Sequence, residues 1–388
     1  MIHPRFFGWL ILLSSCGGIG STPVVSTAPK SDPVLAEAVD AMPPVGAPMA
    51  APLAAAGGPS GATPAPSAVA TPPPRLARGD GTAADAKLAV GDEAYARGAF
   101  AEAERAYHAA ALLDKAAPAA VVGEVRAHLA SAGAPTGFNA APNDKTLLRA
   151  VDELRRAVQL DAAYAPAQLE LGRALLVLGE AAEALGPLAQ AAALAPADPE
   201  AHSAHGVALL AAGRTAEALV ALGRSTELAP GDAERWANLG TAMLLAGRAS
   251  EAVQAFERGL RLAPHDAHLE SDLGTALLQT GELSAALTHL EAAVRVEPTV
   301  AVYRSNLGHA LRQSGQVERA EALFREAVRL DPNLGSAWIN LGNVLAQRGR
   351  FREAREAYLK ARAIDPSDAR IDPVMKELDA IEKSAGSR

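Results

Sequence analysis

The 388-residue chain contains one cysteine, Cys16, which rules out a disulfide scaffold, a thiolate zinc site and thiol–disulfide exchange within it. Aromatic residues are 4% of the sequence although 49% is nominally apolar, because much of that apolar count is alanine. Small side chains in that proportion, with 33 Gly and 27 Pro, fit a closely packed helical array beside a low-complexity segment better than one compact enzyme. Positive charge is also short: 36 Lys and Arg stand against 44 Asp and Glu, a net charge of −8. Neutralising phosphates needs the opposite balance, so no nucleic acid is expected as partner. No His-Glu-x-x-His, no glycine-rich phosphate loop with its lysine and no nucleophile elbow occurs. The reading is therefore a non-enzyme without a cofactor.

The first fifteen residues have the layout of a signal peptide. A short basic stretch, His3 to Arg5, precedes the apolar run Phe6 to Leu13 and then small residues. Even stretched to Ile19 the run falls short of the roughly 20 residues a spanning helix needs. Leu13-Ser14-Ser15-Cys16 resembles the lipobox of bacterial lipoproteins, in which the cysteine is acylated and cleavage falls just before it. The resemblance implies lipidation at Cys16 and, with Gly17 rather than aspartate following, an outer-membrane destination facing the periplasm. The alternative is a secreted protein cut by the ordinary signal peptidase, with Cys16 incidental. Two or three acyl chains would hold the protein at a bilayer without spanning it.

Residues 16–84 read as a disordered tether. From Gly17 to Ala84 the chain has 13 prolines and no aromatic residue, so it cannot bury enough apolar surface to offset the entropy of ordering. As a flexible coil it would span roughly 45 Å. A Pro-rich ligand for a groove is the competing reading.

The remainder is periodic. Gly172, Gly206, Gly240, Gly274, Gly308 and Gly342 are 34 residues apart, and a second glycine follows each by seven. Alanine follows each first glycine by twelve residues and proline by twenty-four. Leu171, Leu175 and Leu178 share one helical face, and Leu185, Leu188 and Leu194 mark a second amphipathic stretch. The spacing predicts helical hairpins: the first glycine and the alanine let two helices approach, the second glycine makes the turn, and the proline ends the unit. One hairpin cannot bury its face alone, so the units stack.

Trp338-x2-Leu341-Gly342-x2-Leu345, Ala354-x3-Tyr358 and Pro366 resemble the signature of the tetratricopeptide repeat, as do Trp236, Leu239, Gly240, Met243, Ala252, Phe256 and Pro264. The resemblance implies an all-α fold, a tetratricopeptide-repeat superhelical solenoid of helix-turn-helix hairpins preceded by the disordered linker. Six clean repeats are expected over 165–368, in steps of 34 from residue 165. Gly186-Pro187 falls inside one second helix, which is expected to start late or kink. Two divergent units occupy 84–164, with a loop inserted at 131–145 that is either a contact or regulatory element or a neutral insertion. A cap helix over Asp372 to Lys383 opens the tail 369–388.

Two His-x-x-His pairs, His202 with His205 and His265 with His268, have no further ligand fixed by the repeat register, so no metal site is assigned. His202 and His205 are read as filling the places of Trp236 and Leu239 one repeat later. In the family resembled, the first helix of each repeat lines the inner face. Position six of successive repeats holds Asn238, Asp272, Asn306 and Asn340, and position nine holds Thr241, Thr275, His309 and Asn343, with Arg312 nearby. Such a ladder can pair with an extended peptide backbone; the other reading is that asparagine at position six is family background. Glu170 and Ala204 interrupt it upstream. The expected function is a membrane-anchored protein-interaction scaffold or assembly factor in the bacterial envelope. A regulatory or substrate-presenting subunit for a separately encoded transferase or peptidase is the alternative.

Overall fold

A computed structural model describes residues 75–386, with side chains to Ile381. The signal peptide, Cys16 and the tether as far as residue 74 lie outside the described residues. Among the described residues the fold is all-α, seventeen helices without a strand. Contacts divide them after Pro264 into two units.

In the first unit the helices are α1 (Ala83–Ala96), α2 (Phe100–Leu113), α3 (Pro118–Ser131), α4 (Lys145–Leu160), α5 (Ala165–Val177), α6 (Ala181–Leu194), α7 (Pro199–Ala211), α8 (Thr215–Leu228), α9 (Ala233–Leu245) and α10 (Ala249–Leu262). The second unit holds α11 (Ala267–Thr280), α12 (Leu283–Val296), α13 (Ala301–Gln313), α14 (Val317–Leu330), α15 (Gly335–Gln347), α16 (Phe351–Ile364) and α17 (Ile371–Gly386). Odd and even helices pair as hairpins, and within each unit each hairpin stacks on the next. The 34-residue register runs through Pro264 unbroken, yet the contacts divide there. His265 takes φ +66° at this point, one of three non-glycine residues in the left-handed region among those described.

Local chemistry explains the hairpins. Asp198, Asp232 and Asp266 precede α7, α9 and α11 and accept the amides of Glu200, Glu234 and His268 at 2.9, 3.0 and 3.0 Å, satisfying donors that the helix leaves open. Inside the hairpin the first glycine is a steric necessity. A Cβ at Gly240 would lie 2.7 Å from the Phe256 ring, and one at Gly308 2.8 Å from the Phe324 ring. The second glycine of each repeat, Gly179 to Gly349, has φ between +71° and +87°, the left-handed turn that L side chains resist.

The structure bears on three expectations. First, α6 does not start late: it runs Ala181–Leu194 with Pro187 inside, in register with the other second helices. The missing N–H deprives only the Glu183 carbonyl of its helical donor, because flanking turns and packing hold the rest. Second, the inserted loop is docked. Asn139 donates its amide to the Leu176 carbonyl (2.8 Å) and Ala141 to Val177 (3.2 Å), closing open carbonyls at the end of α5, and Phe138 is buried in the core. Third, residues 75–82 are packed against α1 and do not belong to a free tether. At the other end, α17 buries Ile371, Val374, Leu378 and Ile381 along one stripe, covering the last hairpin. No helix among the described residues is long and apolar enough to cross a membrane.

Candidate functional site

The first helices of the repeats carry polar residues at positions six and nine, three residues and therefore one face apart. In the first unit these are not open to a ligand. Asn238 and Thr241 are only 3% and 1% exposed. Asn238 Nδ2 donates to Ser203 Oγ at 3.4 Å, and Thr241 Oγ1 donates to the Ala237 carbonyl of its own helix at 3.0 Å. Thr275 does the same in the second unit, donating to Ser271 at 2.8 Å. Asp272 is 2% exposed, with His268 Nε2 3.5 Å away. Burial pushes its carboxyl up to about 6, against the pull of His268.

The open part of the ladder is further along the second unit. Asn306, His309 and Arg312 on α13, and Asn340 and Asn343 on α15, are half-buried. Asn306 Nδ2 donates to Ser271 Oγ (3.0 Å), 35 residues back, which repeats the Asn238–Ser203 pair. Asparagine at position six thus ties one repeat to the preceding one at Asn238 and Asn306. Its amide donor is used and its carbonyl oxygen remains as acceptor. Ser305 stands 35 residues before Asn340, in the same relation.

Around Arg312 the character changes. Tyr358 donates its hydroxyl to Asn343 Oδ1 (2.7 Å), leaving the Asn343 amide to donate elsewhere. Gln313 Nε2 lies 2.8 Å from His309 Nε2; with the amide donating, the ring proton sits on Nδ1. Burial first, then the Arg312 cation, pulls the His309 imidazolium down to about 4, so the ring is neutral near pH 7. Among the described residues, Arg312 Nε is buried without a hydrogen-bond partner and no carboxylate stands within ion-pair distance. Burial lowers its basicity too, with Tyr358 opposing. Arg312, His309 and Asn343 together present N–H donors, a combination that suits a carboxylate.

The first unit carries instead a chain of alternating charge that spacing alone did not reveal. Arg126 Nε meets Glu170 Oε1 at 3.0 Å, Arg173 lies 3.7 Å from both Glu170 and Glu200, and Arg235 lies 3.3 Å from both Glu200 and Asp232. Burial alone would raise the Glu170 carboxyl, but Arg126 and Arg173 hold it below its ordinary value. Glu234, beside Glu200 and Asp232, is pushed well up, burial being the larger cause. The only sequence signal of this chain was the Glu170 that interrupts the ladder.

His202 has a local role. Its Nε2 lies 3.1 Å from the Pro196 carbonyl, and the indole N–H groups of Trp236 and Trp338 donate to Pro230 and Pro332 at 2.9 Å, each six residues back. Gln168 repeats the bond with Ala162 at 3.0 Å. In these four repeats residue four therefore pins its helix to the exit of the preceding one, while Glu270 and Arg304 at that position pair with His289 and Glu326 instead. Among the described residues no group of three His, Cys, Asp or Glu could hold a metal.

Family profiles described as Tetratricopeptide repeat match residues 209–269, 271–334 and 305–369. No curated protein matches the chain. Among solved structures it is similar to the APC/C hetero-tetramer Cut9-Hcn1, with TM-score 0.56 and 17% identity over 78% of this chain; it spans 57% of that structure's length. It is also similar to YrrB, described as a tetratricopeptide repeat protein with an unusual peptide-binding site, at TM-score 0.36 and 23% identity over 49% of this chain and 97% of that one. PilF of Pseudomonas aeruginosa gives TM-score 0.46 and 18% identity over 56% of this chain and 98% of that one. At such identities the likeness is one of fold. Over 209–269 and 271–369 the chain matches tetratricopeptide repeats, which generally serve protein interaction, and the same helical hairpin recurs through the described residues.

Proposed function

We propose that the chain is a lipid-anchored scaffold of the bacterial envelope, held at the outer membrane by acylated Cys16 and facing the periplasm, with a second unit that binds an extended peptide segment of a protein partner. The observation that carries the binding reading is Arg312: a half-buried guanidinium on the first helix of its repeat, α13, with an unpartnered Nε and no carboxylate beside it among the described residues. Leaving such a donor unmet costs about 1–3 kcal/mol, which a bound carboxylate would recover. Around it, His309 Nδ1 and the Asn343 amide offer donors, and the carbonyl oxygens of Asn306 and Asn340 can accept from a peptide backbone.

Anchorage rests on the Leu13-Ser14-Ser15-Cys16 resemblance. Two measurements test the two halves separately. Affinity capture from detergent-solubilised membranes with wild type and Arg312→Ala should show a partner lost or weakened at least tenfold in the variant; equal capture ends the Arg312 reading. Metabolic acyl labelling of Cys16→Ser should vanish and precursor accumulate; a variant labelled and cleaved like wild type ends the anchor reading.

A further inference from the structure

Residues 75–82 enter the fold as an irregular segment, bent at Leu76 and with Gly79 and Gly81 in the left-handed region, that runs antiparallel along α1 and turns into it at Thr82. Its backbone is held by two carboxylates of that helix. Asp92 Oδ2 accepts the amides of Leu76 (2.8 Å) and Ala77 (2.9 Å), while Asp85 accepts those of Arg78 (2.6 Å) and Gly79 (2.8 Å). Asp85 and Asp92 are seven residues apart, two turns on one face. Tyr107 donates its hydroxyl to Asp92 Oδ1 at 2.9 Å, which leaves Oδ2 aimed at the segment.

The side chains are held as well. Leu76 is 1% exposed within the first-unit core, and the Arg78 guanidinium lies 4.8 Å over the Tyr164 ring and 3.7 Å from Asp161. Capping α1 requires none of this, because Thr82 already accepts the Asp85 amide at 3.1 Å. Four charge-assisted bonds to main-chain amides, one apolar socket and one aromatic-plus-acid seat for a cation are the parts of a peptide-binding site. The carboxylates grip backbone, so the fit depends on neighbouring amides turned to one side, a buried apolar side chain and a cation two residues later. Asp92 also occupies position nine of its repeat, counted from residue 84, the position held by Thr241, Thr275, His309 and Asn343 further on.

We propose that the face of α1 bearing Asp85 and Asp92, with Tyr164 and Asp161, is a second peptide site, selective for a short basic segment with an apolar residue two places before an arginine, and that residues 75–79 fill it in cis as a displaceable ligand. The site shares no residue with the Arg312 region, so either reading can fail alone. A tethered ligand acts at an effective concentration in the millimolar range, so a peptide in trans competes poorly until the tethered segment is weakened.

The test uses the full chain and a fluorescently labelled peptide of residues 73–82, followed by anisotropy. Leu76→Asp with Arg78→Glu should release the segment in cis and bind the labelled peptide at least tenfold more tightly than wild type. Adding Asp92→Asn, or changing the arginine of the peptide equivalent to Arg78 to glutamate, should cut that binding at least tenfold. A released variant with wild-type helix content that does not bind the peptide overturns the proposal, as does equal binding by released variant and wild type. Should the released variant lose its helices, a protease site inserted between the exposed Asp80 and Gly81 gives the second measurement. After cleavage, exchange of the upstream fragment for labelled peptide supports the proposal, and retention against excess peptide overturns it.

Discussion

Asn306 donates its side-chain amide to the hydroxyl of Ser271 across 3.0 Å, joining the first helices of two successive repeats 35 residues apart. A residue placed in the binding ladder by its register is thereby also a tie between repeats, and its substitutions are expected to act on stability. Asn306→Ala and Ser271→Ala should each cost about 0.5–1.5 kcal/mol, the usual net worth of one hydrogen bond. The double variant should cost little more than either alone. Denaturant unfolding of the three variants checks this; fully additive losses would mean that the bond contributes nothing.

Asp272 sets a pH dependence of definite sign. Its carboxyl is raised from 3.8 to about 6 in the fold, so the native state binds the proton more tightly than the unfolded chain does. The stability that this gives is present below pH 4 and lost as pH rises to 6. Asp272→Asn should gain on wild type as pH climbs through this window, by at most about 3 kcal/mol above pH 6. Urea midpoints from pH 4 to 7 measure it, and a constant difference between the proteins would contradict the assignment.

His309 acts in the opposite direction. Its folded value of about 4 lies below the ordinary 6.5, so stability is present above pH 6.5 and is lost as pH falls towards 4. His309→Gln should flatten that limb. A titration of the imidazole by proton NMR, with a midpoint near 4 in wild type, reads the same quantity directly; a midpoint near 6.5 would remove the effect.

Glu321 on α14 is buried, and the guanidinium groups of Arg325, Arg348 and Arg350 converge on it. Arg348 and Arg350 follow α15, so one carboxylate joins a second helix to the turn of the next repeat. Glu321→Gln should cost about 1–3 kcal/mol, because the charged acceptor is lost while the partly exposed arginines can turn to water. Hydrogen exchange should show the loss in α14 to α16 with α1 to α8 unchanged; uniform loss of protection would argue for one cooperative fold.

How much of this the sequence disclosed follows from the range of each interaction. Gly240 and Gly274 were legible because close helix approach admits nothing larger there, and Gly213 and Gly247 because the turn needs positive φ. These constraints are local and repeat with the chain. The Trp236 register likewise explained His202 before any bond was visible. What stayed hidden depends on stacking or on irregular backbone. Asn238 looks the same in sequence whether its amide meets a ligand or Ser203, and the loop holding Asn139 shows no periodicity that would predict its docking on Leu176. Residues 75–79 bring two arginines, Arg75 and Arg78, where 17–74 has none, but no periodicity, and their docking depends on Asp85 and Asp92 of the following helix.

The bond made by residue four of the repeat also supplies an optical handle. Of the three tryptophans, Trp236 lies in the first unit and Trp338 in the second, each with its indole N–H on the carbonyl six residues before it. With Trp9→Phe, emission from the two indoles reports the two halves of the array separately once Trp236→Phe or Trp338→Phe silences one of them. Loss of the indole bond and entry of water shift that emission to the red, so the melting of each half can be followed in the intact chain with no added dye.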